Sequence, residues 1–140
     1  MKKRIKLADR ILPNYSLTEE RLNYITHIIG GVLGIIVLVL CVAKTALKGN
    51  TIGIISSLIY GVTMIMLYTI SSVYHGLKPS MTKKVMQVLD HCTIYLLIAG
   101  TYTPIALCAF LKTDSTVGWI IMGIEWGLAA LSIVLTAIDL

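Results

Sequence analysis

Residues 51–75, TIGIISSLIYGVTMIMLYTISSVYH, run for 25 positions without an Asp, Glu, Lys or Arg. A helix rising ~1.5 Å per residue crosses the bilayer hydrocarbon in about 20 mostly apolar residues. This stretch is long enough to span. Working outward, Ile25–Ala43 is uncharged over 19 residues, Cys92–Leu111 over 20, and Val117–Ile138 is 22 residues with one acid, Glu125. Only 14% of the 140 residues are charged while 56% are hydrophobic. Soluble domains carry nearer a quarter charged residues, so the balance itself points to a bilayer. The reading is an all-α integral membrane protein, a bundle of four transmembrane helices. The predicted spans are 25–43, 51–75, 85–111 and 117–138, preceded by a cytoplasmic N-terminal segment, 1–24.

The net charge of +5 is unevenly placed. Lys2, Lys3, Arg4, Lys6, Arg10 and Arg21 precede the first span, and Lys78, Lys83 and Lys84 lie between the second and third. The other two loops hold Lys44, Lys48 and Lys112. The positive-inside rule then puts the N-terminus and second loop in the cytoplasm of a plasma-membrane protein, with basic residues facing anionic lipid heads. Nothing in this pattern supports nucleic-acid binding. No cleavable signal peptide is evident, because the first 24 residues are polar and basic and the apolar run starts late. Cys41, Cys92 and Cys108 all fall in apolar runs and make no disulfide or CxxC pattern.

Local signals refine the spans. Ser16 followed by Glu19 is a capping-box pattern and predicts a helix start near Leu17. Residues 1–14 predict a short interfacial helix broken at Pro13. Gly30 and Gly34 form a GxxxG, a surface for close approach of another helix and a candidate route to a homo-oligomer. Lys78-Pro79-Ser80 separates spans two and three, with Ser80 or Thr82 as N-cap. Pro104 inside span three predicts a kink, with nearby polar side chains serving the freed carbonyl.

Topology assigns depth to the polar residues. His27 begins span one, Ser71 and His75 end span two, and Asp90 and His91 lie about two turns after Lys83. All three histidines and Asp90 therefore share one membrane depth. Ser71 and His75, spaced i and i+4, stack on one helical face. Intramembrane ionisable groups are costly, so this cluster reads as a metal or proton site facing the bundle interior. The bland alternative is a set of polar residues at helix ends. His91 is rotated ~100° from Asp90, so both cannot easily aim at one centre. Glu125 lies near the depth of Tyr102 and Thr103, either of which is an expected hydrogen-bond partner. Burial as a neutral acid and a place on a proton or substrate path are the two readings of that glutamate.

Three blocks carry a family resemblance. Glu20, Asn23 and His27 in EERLNYITHIIGG, Ser71 and His75 in SSVYHGL, and DHCTIYLLIAGTYTP from Asp90 to Pro104 resemble the hemolysin III family. That family is the bacterial branch of the progestin and adipoQ receptor superfamily, and the resemblance runs from Tyr15 onward. It implies a seven-helix membrane protein of which this chain matches the first part. It also implies a zinc ion held by His75, with Ser71 and Asp90 supporting the bound water. Two further histidine ligands, from an HxxxH motif on the seventh helix, have no counterpart here, so a fragment or a truncated paralogue is expected. The function the resemblance implies is a zinc-dependent membrane lipid hydrolase or lipid-homeostasis sensor at the cytoplasmic leaflet, with membrane lipids as partners. In the hydrolase reading Asp90 is the candidate base. A cytolysin or channel, and a small proton-coupled exporter using Glu125, are the alternatives. Four strongly apolar helices leave little room for the soluble state that a secreted pore former requires.

Overall fold

The structure is a computed structural model that describes residues 6–138, the side chain of Lys112 excepted. Four helices in it are long and apolar enough to cross a membrane. They define an all-helical transmembrane protein. Helix α1 spans Leu17–Leu47, α2 Thr51–Gly76 and α3 Met81–Pro104. A π-helical stretch, Ile105–Phe110, continues α3 into a single turn, α4 (Leu111–Thr113), and α5 occupies Ser115–Ile138.

The helix ends follow the local chemistry. The Ser16 hydroxyl accepts from the Glu19 amide while the Glu19 carboxylate accepts from the Ser16 amide, closing the capping box at Leu17. Asn50 caps α2 through the Gly53 amide, and Ser80, not Thr82, caps α3 through the Lys83 amide. The connection after α1 is only Lys48–Asn50, and Gly49 takes a positive φ of 61° to make it. At 31 residues, α1 is about 46 Å long by its ~1.5 Å rise, well over the ~30 Å of hydrocarbon. Its first turns therefore stand outside the hydrocarbon, together with the α2–α3 connection.

Two local expectations are corrected. The expected interfacial helix over residues 1–14 is, in its described part, a 3-10 turn at Leu7–Asp9, and residues 1–5 lie outside the described residues. Three residues are too few for the cooperative gain that sustains a helix. The turn is held instead by tertiary bonds: Lys84 Nζ donates to the Ala8 carbonyl, and Arg10 donates to the Thr136 carbonyl at 3.5 Å. Pro104, the expected kink, is followed by the wider π-turn, the local adjustment that accommodates a missing amide donor. Thr103 Oγ1 donates to the Ala99 carbonyl at 2.8 Å and Thr101 Oγ1 to that of Leu97 at 2.7 Å, so neither is bonded to the Gly100 carbonyl.

The helices pack in chain order. α1 lies against α2, α2 against α3, and α3 against α5, while among the described residues the backbone of α1 approaches neither α3 nor α5 and reaches α3 through the Glu20 side chain. The result is a row of helices, not a closed square. Small residues set the contacts. A Cβ on Gly30 would stand 2.5 Å from the Tyr68 ring, and one on Gly34 would meet Ile65 at 3.3 Å and Met64 at 3.4 Å. The GxxxG is thus used within the chain, bringing α1 onto α2. Between α2 and α3, Gly100 sits against Thr63, leaving no space for a Cβ. The core is small and partly polar, with Ala99, Ala106, Ser56 and Thr103 among its most buried residues. Large aliphatic side chains point outward along every span, the arrangement expected where lipid is the solvent.

Candidate functional site

Glu20, in the first turns of α1, is the hub of the best-formed polar cluster. Its Oε2 lies 2.7 Å from His75 Nδ1, at the end of α2, and its Oε1 accepts from Lys83 Nζ at 2.6 Å, at the start of α3. The side chains of His75 and Lys83 are 8% and 5% exposed, that of Glu20 18%. One carboxylate therefore ties the same ends of three helices together. Lys83 also donates to the Leu77 carbonyl at 2.9 Å and lies 5.1 Å from the centroid of the Tyr74 ring. A buried ammonium is costly unless fully partnered, and these contacts partner it.

The geometry defines the chemistry available to His75. An ionised carboxylate only accepts hydrogen bonds, so His75 must donate from Nδ1, and the neutral ring then carries its lone pair on Nε2. Carboxylate–histidine pairs of this kind are the usual way to orient a metal-ligating or proton-transferring imidazole. Rings crowd His75: Tyr74 at 4.7 Å between centroids, and Tyr15 and His27 each at 5.8 Å. His27 Nδ1 is buried without a hydrogen-bond partner, as is Gln87 Oε1 one turn after Lys83. Unpaired buried polar atoms are uncommon in folded proteins, and these two sit on the same side of the membrane as the cluster.

The remaining residues expected at the site divide. Ser71 is buried at 3% exposure, one turn before His75, and Asp90 is half-buried on α3. Among the described residues neither makes a side-chain hydrogen bond to His75. His91 is exposed and bonds the Gln87 carbonyl at 2.6 Å, so it turns away from the cluster. Glu20 is only a motif residue from sequence and becomes the direct partner of His75. Lys83, a topology signal in the sequence, proves to be buried. Helical periodicity carries a hint of this, since 83, 87 and 90 share a face that 84 and 91 do not.

Glu125 differs from expectation as well. Thr103 Oγ1 accepts from Trp126 Nε1 at 3.1 Å, and Tyr102 is 44% exposed. Neither meets the glutamate. Glu125 instead borders a cleft of about 180 Å³ with Tyr95, Ile98 and Ser132. Depth along a helix did not give rotation about it.

Two larger hollows adjoin the cluster. One, about 490 Å³, is an apolar groove between α1 and α2 lined by His27, Ile28, Gly31, Val32, Tyr68 and Ser72 among others. The other, about 400 Å³, is a polar cleft at the helix ends bordered by Tyr15, Glu20, Arg21, His75, Lys78 and Lys83. Tyr24 and Gly76 line both.

The row of four spanning helices, with a carboxylate-held histidine at one membrane face, defines a polytopic helical membrane protein with a polar site at the helix ends. Residues 15–140 match the profile of the Haemolysin-III related family, and the chain belongs to that family. It is 38% identical over 111 residues to the Hemolysin-3 of Bacillus cereus, covering 79% of this chain and 49% of the relative. It is 39% identical over 115 residues to the Hemolysin-3 homolog of Bacillus subtilis (strain 168), covering 82% of this chain and 53% of the relative. The chain thus spans about half the length of these curated relatives. No solved structure matches it.

The zinc that the family resemblance implies can be tested against the residues present. His75 Nε2 is a suitable donor with a carboxylate already behind it. Catalytic zinc takes about three protein ligands, however. No group of three or more His, Cys, Asp or Glu among the described residues could hold a metal ion. The described residues do not make a complete zinc site, and a composite of His27, His75 and Asp90 does not form.

Proposed function

We propose that this chain supplies the histidine–carboxylate part of a lipid-directed site in the membrane, as a zinc-dependent lipid hydrolase or lipid-homeostasis sensor. In this reading the N-terminus and the site face the cytoplasm, and the bilayer is the plasma membrane. The observation that carries the proposal is the Glu20–His75 pair, which leaves one oriented imidazole nitrogen at a polar cleft that shares Tyr24 and Gly76 with an apolar groove. The other metal donors must come from outside the described residues, and no chemical step is assigned to the metal. Within this chain Glu20 holds the ring of His75, Lys83 neutralises Glu20, and Ser71 and Asp90 line the neighbouring turns of α2 and α3.

The test compares the 140-residue chain with the same chain joined to the C-terminal half of a Hemolysin-3 relative. Zinc content and release of fatty acid from a bacterial lipid extract are measured on both in detergent micelles. The short chain should hold far less than one zinc. The joined protein should hold about one, as a single site of this type requires, and His75→Ala should abolish it. A joined protein that takes up no zinc, or keeps it in His75→Ala, would overturn the reading. Zinc without any lipid hydrolysis would leave the sensor form alone.

A further inference from the structure

Arg21 and Lys78 both line the polar cleft, one on α1 and one just beyond α2, and both are exposed. The acid in the same cleft, Glu20, already carries Lys83 and His75 on its two oxygens. Its charge is offset before any ligand arrives. The cleft therefore presents two uncommitted cations to whatever enters it, with Tyr15 and Tyr24 at its edges, 42% and 41% exposed. Amphipathic aromatic side chains of this kind belong at the headgroup level of a membrane. The cleft shares Tyr24 and Gly76 with the α1–α2 groove, whose lining is almost wholly apolar. A cationic headgroup cleft adjoining an apolar trough has the polarity profile of one amphiphile.

We propose that an anionic phospholipid occupies these two adjoining hollows. Its phosphate lies between Arg21 and Lys78, and one acyl chain lies along the groove past Val32. A guanidinium and an ammonium lining one cleft complement a phosphodiester, which a zwitterionic lipid partly neutralises with its own choline. The inference rests on the lipid-directed reading of the chain and on neither zinc nor hydrolysis.

The experiment is native mass spectrometry of the 140-residue chain from micelles doped equally with dioleoylphosphatidylglycerol and dioleoylphosphatidylcholine. The wild-type chain should retain phosphatidylglycerol preferentially. In Arg21→Gln/Lys78→Gln the preference should fall roughly 30-fold, the factor expected for two basic residues at an anionic headgroup. The charge-retaining Arg21→Lys/Lys78→Arg should keep it, and so should Lys44→Gln/Lys48→Gln at the opposite ends of the helices. Val32→Trp, which fills the groove, should cut retention of lipid while leaving thermal stability near wild type. An undiminished preference in Arg21→Gln/Lys78→Gln would overturn the proposal, as would an equal loss in Lys44→Gln/Lys48→Gln. Glycerol 1-phosphate binding as well as the lipid, with Val32→Trp silent, would mean a free-phosphate site and overturn it too. So would a dimer that Val32→Trp dissolves, with no lipid preference, since the groove would then seat a second copy. Lipid hydrolysis by the joined protein without this preference would sink the inference alone. The preference without zinc or hydrolysis would sink the proposed function alone.

Discussion

Glu20 and His75, 55 residues apart in the chain, meet at 2.7 Å through Oε2 and Nδ1, while the second oxygen of the same carboxylate holds Lys83 at 2.6 Å. The pair couples the start of α1 to the end of α2. The lysine adds the start of α3.

Removing the carboxylate should therefore cost more than its one side chain. Glu20→Gln keeps an oxygen that can accept from Lys83 but removes the negative charge that offsets the buried ammonium. The expected destabilisation is about 1–3 kcal/mol, the usual cost of stranding a buried polar or charged partner. Glu20→Gln/Lys83→Met should recover a large part of it. Thermal unfolding in detergent of the two single variants and the double measures this, and additive losses would show that the pair is not coupled.

The close approach of α1 to α2 yields a contrast between adjacent glycines. A Cβ on Gly30 meets the Tyr68 ring at 2.5 Å, whereas one on Gly31 meets only Tyr68 Cβ at an ordinary 3.7 Å. Gly30→Ala should lower stability by about 1–3 kcal/mol through overpacking. Gly31→Ala should be close to neutral or slightly stabilising, because alanine is the better helix former. Equal melting temperatures for the two variants would refute the packing assigned to α1.

Thr103 is fully buried and joins α3 to α5 by accepting from Trp126 Nε1 at 3.1 Å. Thr103→Val keeps the shape but strands the indole N–H, at a cost of about 1–3 kcal/mol. Thr103→Ser keeps the acceptor and should be milder. Thermal unfolding followed by tryptophan fluorescence separates them, and a larger loss in Thr103→Ser would argue against the hydrogen bond.

Orientation is tested by labelling. Lys48→Cys, in the α1–α2 turn, should react with an impermeant maleimide in intact cells, and Lys78→Cys should react only after the membrane is opened. Lys78 is the right probe for that loop because it is exposed, whereas Lys83 is 4% exposed and held by Glu20. The reverse pattern would place the Glu20–His75 cluster outside the cell and remove the cytoplasmic-leaflet reading.

The four spans were legible in the chain itself, because bilayer insertion depends on the length and polarity of contiguous segments. The caps at Ser16 and Ser80 were legible for a similar reason, since a cap is a bond between residues three apart. The spacing of Ser71, His75 and Asp90 also carried the family resemblance. What the sequence left open was rotation and partnership. Residues at one depth, such as Glu125 and Thr103, were natural partners on paper, yet Thr103 faces Trp126, and Glu125 faces a cleft. Lys83 looked like a solvated loop charge and is buried on Glu20, 63 residues earlier. Such contacts depend on how each helix turns about its axis when Gly30, Gly34 and Gly100 let neighbours close in. That rotation is settled by packing across helices, a sum over residues distant in the chain, and only the tertiary structure decides it.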